Sequence, residues 1–161
     1  MGGVRALAFT PDGAFVVAGG MGPADQNSAG IDGPMRLEIF ATATGKSVAA
    51  FLTPGFKGLL NAMTFHADGA WLMAGGGGGQ LGSAGIGSVC LWNHRERDKA
   101  GKMVAPVMLK GVAVVRDVVL STDGATLYIV GMERDLTAGR VEIWDLTGTE
   151  PAPSPAKSRM P

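Results

Sequence analysis

Ala8-Phe9-Thr10-Pro11-Asp12-Gly13, Thr64-Phe65-His66-Ala67-Asp68-Gly69 and Val119-Leu120-Ser121-Thr122-Asp123-Gly124 are three versions of one phrase, a strand end running into an Asp-Gly turn. Their glycines stand 56 and 55 residues apart. Asp-Gly between apolar runs is a hairpin signal, because glycine accepts the left-handed backbone that a tight turn needs. A fixed period of this size, each copy holding several short strands, marks a fold built by repetition.

Outward from the turns the same order recurs. In the first unit Val4 to Phe9 and Ala14 to Ala18 flank the turn, a long connection follows, and Met35 to Phe40 and Ser47 to Leu52 supply a third and fourth strand. The second unit has Leu60 to Phe65, Ala70 to Ala74, Ser88 to Trp92 and Val104 to Leu109. The third has Ala113 to Leu120, Ala125 to Val130 and Arg140 to Asp145. No segment of helical length carries an apolar stripe at 3.6-residue spacing, so the chain reads as all-β. Phe15-Val16-Val17-Ala18 and Trp71-Leu72-Met73-Ala74 are apolar on both faces, as strands of a sheet covered on both sides must be. Four-stranded antiparallel sheets, each packed between two neighbours, are the blades of a β-propeller. The expected fold is three consecutive blades, about 4–55, 56–111 and 112–148, in an open arc whose last blade is incomplete. Residues 149–161 contain Glu150-Pro151-Ala152-Pro153-Ser154-Pro155 and read as a disordered tail or linker, since proline donates nothing to a ladder.

Composition narrows the function. The 161 residues carry 14 basic and 14 acidic side chains and no net charge, which disfavours nucleic acid and anionic lipid as partners. No stretch is long and apolar enough to cross a bilayer as a helix. Met1 to Leu7 lacks the charged start and long apolar run of a secretory signal, so a cytoplasmic location is expected if Met1 is the native start. Cys90 is the single cysteine, which leaves no internal disulfide and reads as a small buried hydrophobe.

Three motif matches fail on their chemistry. Gly77-Gly78-Gly79-Gln80-Leu81-Gly82 has dinucleotide-loop spacing, but a strand follows where a helix N-terminus would be needed. Asp25-Gln26-Asn27-Ser28-Ala29-Gly30 starts like a calcium loop, yet its fifth position is Ala29 and its twelfth is Arg36 instead of a bidentate Glu. His66 and His94 are the only histidines and make no zinc site. No serine sits in a nucleophile-elbow pattern. The reading is therefore of a non-enzyme with no cofactor and no metal.

Phe40-Ala41-Thr42-Ala43-Thr44-Gly45-Lys46, Leu91-Trp92-Asn93 and Ile143-Trp144-Asp145-Leu146 resemble the third-strand ending of WD-repeat propellers, Leu-Trp-Asp-Val-Ala-Thr-Gly-Lys. Phe40, Trp92 and Trp144 are spaced by 52 and 52 residues, and the resemblance runs from residue 4 to about 148. The family's Gly-His before the first strand and its Asp before the third are absent, so packing between blades must replace the usual hydrogen-bond network. Trp92 and Trp144 read as core on that basis. Kelch propellers share the Gly-Gly second-strand ends, but their later Tyr and Trp pair is missing here.

The resemblance implies a binding face. It places the connections Gly19 to Pro34, Gly75 to Gly87 and Gly131 to Gly139 on one face, and there Asp25, Asn27, Glu133, Arg134 and Asp135 carry polar groups. Arg5, Asn61 and Arg116 occupy equivalent first-strand positions near the mouth of the central channel, and Asp117, where blades 1 and 2 have Ala6 and Ala62, is expected to line it beside an arginine. These eight residues, Asp117 aside, are the candidate partner-binding set. The expected function is a scaffold binding a protein or peptide; the alternative is a structural segment of a larger multidomain enzyme or redox protein. Three blades do not close a ring, so self-association or further blades of a larger propeller are expected partners as well.

Overall fold

The computed structural model describes residues 2–21, 34–77, 87–101, 104–110, 114–133, 138–148, 152–153 and 158–159. Blade 1 comprises β1 (Gly2–Phe9), β2 (Phe15–Met21), β3 (Pro34–Ala41) and β4 (Ser47–Lys57), paired antiparallel in that order. Blade 2 repeats the order with β5 (Leu59–Phe65), β6 (Trp71–Gly77), β7 (Ser88–Asn93) and β8 (Val107–Lys110). Blade 3 has β9 (Val114–Leu120), β10 (Thr126–Met132) and β11 (Gly139–Asp145). One bridge, Gly77 to Val114, links the ladders of blades 2 and 3. Among the described residues there is no helix.

Each Asp-Gly turn closes as its residues dictate. Gly13, Gly69 and Gly124 have φ of 67°, 68° and 75°, a region that disfavours any side chain, and Asp12, Asp68 and Asp123 accept the amide two residues on. Eleven strands of four or more residues result among the described residues, as the repeat predicts. Several strand limits differ by one to five residues, β4 running to Lys57 where Leu52 was expected and β6 to Gly77 where Ala74 was expected. The strand expected from Val104 begins only at Val107, because Pro106 has no N–H to give the ladder. The tail contributes two further two-residue strands, β12 (Ala152–Pro153) and β13 (Ser158–Arg159), which pair with β11 where a fourth strand would run. Among the described residues, these four stand where a full fourth strand of the last blade would run.

Packing between blades supplies the core. Ala6, Val17, Met35 and Leu37 of blade 1 meet Leu60, Leu72, Cys90 and Trp92 of blade 2. Across the opposite face of blade 2, Met73, Val89, Leu91 and Leu109 meet Val115, Val118, Leu127 and Trp144 of blade 3. Both tryptophans are buried, and Phe51 stacks edge-on against Trp92 with ring centres 4.5 Å apart. The Trp144 indole nitrogen donates to Glu142 Oε2 at 3.4 Å, and Arg140 neutralises that buried carboxylate at 2.9 Å. Cys90 is buried as expected, and desolvation pushes its thiol up to about 12.

The glycines of the second strands fit this packing. A β-carbon on Gly19 would overlap Leu60, and one on Gly75 would stand 2.7 Å from methyls of both Val115 and Val118. Blade 3 has Val130 at that position, where no further blade packs among the described residues. Among the described residues, no sheet covers the outer face of blade 1. Leu7 and Phe9 on blade 1 are 61% and 63% exposed, whereas their counterparts Met63 and Phe65, and Val118 and Leu120, are packed against a neighbouring blade.

A candidate interaction rim

The first strands β1, β5 and β9 lie side by side. Each is interrupted at the same place. Pairing jumps between Val4 and Ala6, between Leu60 and Ala62, and between Val115 and Asp117, so that Arg5, Asn61 and Arg116 are the extra, bulged residues. Bulges bend a strand and re-aim a side chain. Opposite them, the partner strands carry Gly20, Gly76 and Gly131. A β-carbon on Gly20 or Gly76 would overlap the carbonyl oxygen of Gly3 or Leu59, so glycine is what lets the bulged backbone lie this close.

The three side chains then diverge in role. Asn61 Nδ2 donates to the Val115 carbonyl at 2.7 Å and ties blade 2 to blade 3. Arg5 and Arg116 are exposed cations, and Arg116 lies 3.7 Å from the Met132 sulfur. Glu133 donates its backbone N–H to the Ala138 carbonyl at 3.0 Å, across the stem of the β10–β11 connection. Register places these residues at one end of the sheets: Gly2 pairs with Met21, and Met132 with both Val114 and Gly139. The bulges are thus at the strand ends from which the β2–β3 and β10–β11 connections leave. Asp25, Asn27, Arg134 and Asp135 lie outside the described residues. The expected pairing of Asp117 with an arginine is not formed among the described residues; its Oδ1 accepts the Val118 amide at 2.8 Å.

Sequence reading passed over two things. Bulges leave the residue pattern intact, so only the Gly-Gly pairs opposite them hinted at their presence. The other is His66, dismissed as a metal ligand, whose Nδ1 sits 3.1 Å from Asp68 Oδ2 at the opposite end of the sheets. Its signal was a histidine where the other two repeats have Thr10 and Ser121.

Residues 1–26 match the family model of the WD domain, G-beta repeat. No curated protein sequence matches the chain. Among solved structures, the β-propeller domain of Cps50 (Swd1) from Myceliophteria thermophila aligns over 98% of this chain and 39% of its own, at 14% identity and a TM-score of 0.61. Sqt1 of Chaetomium thermophilum aligns over 96% of this chain and 36% of its own, at 17% identity and a TM-score of 0.64. The periplasmic gluconolactonase PpgL of Pseudomonas aeruginosa aligns over 98% and 44%, at 17% identity and a TM-score of 0.66. At these identities the likeness is one of fold, and the chain spans less than half the length of each of these three.

Proposed function

From an arc of β-propeller blades whose residues 1–26 match the WD-repeat model, we propose that the chain is a non-enzymatic scaffold that docks a protein or peptide on the rim formed by its first-strand bulges and the connections beside them. One observation carries this reading: three bulges at one register, two of them presenting exposed arginines that form no salt bridge among the described residues. A bulge held in place by a glycine partner in every blade is a device for aiming side chains. Arg5 and Arg116 are the principal contacts in this reading, Asn61 holds the blades together beneath them, and Asp25, Asn27, Glu133, Arg134 and Asp135 complete the surface. Aligned arginines suit an acidic or carbonyl-rich segment, since guanidinium offers several donors in a fixed plane. The absence of a nucleophile and base pattern in the sequence supports a binding role over catalysis, although the fold is shared with an enzyme.

The test compares proteins captured by the wild-type chain with those captured by Arg5→Ala/Arg116→Ala and by Asp25→Ala/Asn27→Ala/Arg134→Ala/Asp135→Ala, using quantitative mass spectrometry. A partner lost at least tenfold from both variants, with unchanged thermal melts, supports the rim. Capture indifferent to both sets refutes it.

A further inference from the structure

The three Asp-Gly turns are equivalent in register but not in chemistry. In the first and third a hydroxyl completes the turn: Thr10 Oγ1 and Ser121 Oγ each donate to the turn aspartate at 2.6 Å and accept an amide from the next strand. The middle turn has His66 there instead, bonded to Asp68. An imidazole is not needed to close such a turn, as the other two demonstrate. Its ring fills the space in front of Gly124, where any β-carbon would overlap Nε2.

Beside that ring lies a cleft of about 260 Å3 between blades 2 and 3. Trp71, Met73, Leu91 and Leu146 form its apolar wall, and His66 and Asp68 sit at its polar end. The junction between blades 1 and 2 shows what occupies the same place. There the residues following Trp92 include His94, whose Nε2 is 2.7 Å from the Gly69 carbonyl oxygen, and Arg95. The Arg95 guanidinium lies against Gly69, next to Pro11, and its charge reaches Asp12. After Trp144 the corresponding residues are Leu146 and Thr147. Neither is charged. Asp68, the counterpart of Asp12, therefore faces its junction 46% exposed, and among the described residues no lysine or arginine forms a salt bridge with it. Burial pushes the Asp68 carboxyl up, but the Ala70 amide and the His66 imidazole together bring it below the usual carboxylate range, so it is ionised at neutral pH.

We propose that this cleft receives a lysine or arginine side chain of a protein partner, its alkyl stem along Trp71 and Leu146 and its cation at Asp68, in the place that Arg95 holds at the first junction. The inference rests on the scaffold reading, but on the opposite end of the sheets from the rim. A long basic side chain matches an apolar wall with a carboxylate at one end, and an indole face beside the cation adds attraction. The volume is below the ~300–1,000 Å3 of small-molecule sites, and so fits one side chain better than a cofactor. His66, bonded to Asp68, is the positioning residue.

The test uses a phage-displayed library of random 12-residue peptides selected on the whole chain, with enriched peptides synthesised and their binding measured by fluorescence anisotropy. The expected peptides share a lysine or arginine, and replacing it with norleucine weakens binding at least tenfold. Asp68→Asn and Thr147→Arg each cause the same loss, the first by removing the charge and the second by supplying the cation from within the chain. Asn keeps an oxygen for the Ala70 amide, so the turn still closes. A second measurement needs no peptide: Thr147→Arg raises the thermal midpoint in the wild type and not in the Asp68→Asn background. The proposal is overturned if enriched peptides lack a basic residue, if none is enriched, if binding ignores Asp68→Asn, or if the Thr147→Arg effect is the same in both backgrounds. Peptides that depend on Arg5 and Arg116 but not on Asp68 would uphold the rim and remove this site.

Discussion

Gly75→Ala tests the packing of blade 3 on blade 2 with a single methyl group. The new β-carbon would stand 2.7 Å from Val115 Cγ1 and 2.7 Å from Val118 Cγ1, where ordinary contacts between carbons fall near 3.5–4.0 Å. Both neighbours are β-branched with stiff χ1 angles, and both are buried in the core between the blades, so neither turns aside easily. Gly75 does not have a positive φ, so no backbone strain adds to the steric overlap, which must outweigh the ~0.4–1 kcal/mol that losing a glycine gains through the unfolded chain. Overpacking of this kind costs ~1–3 kcal/mol, and two simultaneous overlaps put the expectation near the top of that range, about 3 kcal/mol. Val115→Ala removes one of the two offending methyls and opens space for the new one. Alone it destabilises by a cavity, but combined with Gly75→Ala it recovers at least ~1 kcal/mol relative to the sum of the single changes. Urea unfolding followed by tryptophan fluorescence reads all four proteins. If Gly75→Ala lies within about 0.5 kcal/mol of wild type, or if the two changes are additive, blade 3 does not press on β6 and the packing described above is wrong.

Other outcomes follow from the same contacts. Trp144→Ala should cost about 3–5 kcal/mol in the same assay, as large aromatic deletions from cores do, and a loss below about 1 kcal/mol would mean the indole is not core. The bare apolar face of blade 1 should drive concentration-dependent association in sedimentation experiments, reduced by Leu7→Ser/Phe9→Ser; a stable monomer at high concentration would contradict this. Asp12, Asp68, Asp123 and Asp145 all have carboxyls held below their ordinary value by turn hydrogen bonds, so they stabilise the fold above about pH 4 and that contribution is lost as pH falls through their folded values. Acid melts should therefore steepen below about pH 4, and Asp123→Asn should flatten the profile; an unchanged slope would refute the turn account.

The repeat was legible because its cause is local. Asp-Gly turns, doubly apolar second strands and the aromatic at 40, 92 and 144 each reflect a backbone or burial demand that recurs in every blade. Strand limits were misjudged where one residue decided them, as Pro106 does for β8. The short β12 and β13 were hidden by a proline-rich composition that argues against pairing, although an edge position tolerates proline because its outward side has no partner to serve. The rim was legible by alignment of Arg5, Asn61 and Arg116, but the hydrogen bond that occupies Asn61 depends on a neighbouring blade 54 residues away. The cleft was not legible at all. It comes from comparing two junctions, Arg95 against Thr147, and that comparison needs to know which turn faces which.

The bulges also set the phase of the first strands. In an uninterrupted strand, residues two apart share a face. Leu60 packs toward blade 1 and Ala62 toward blade 3, and likewise Val115 points back toward blade 2 while Asp117 points outward from the arc. The extra residue between them shifts the sequence phase by one, while its neighbours keep the ordinary alternation of the ladder. Replacing Arg5 or Arg116 leaves that shift in place, which frees the side chains to vary with whatever is bound. Deleting either one, or Asn61, would leave its two neighbours adjacent and still turned to opposite interfaces, because those neighbours already face adjacent residues of the partner strand. The interfaces between blades therefore do not depend on these three residues being present, whereas the outward aim of Arg5 and Arg116 does.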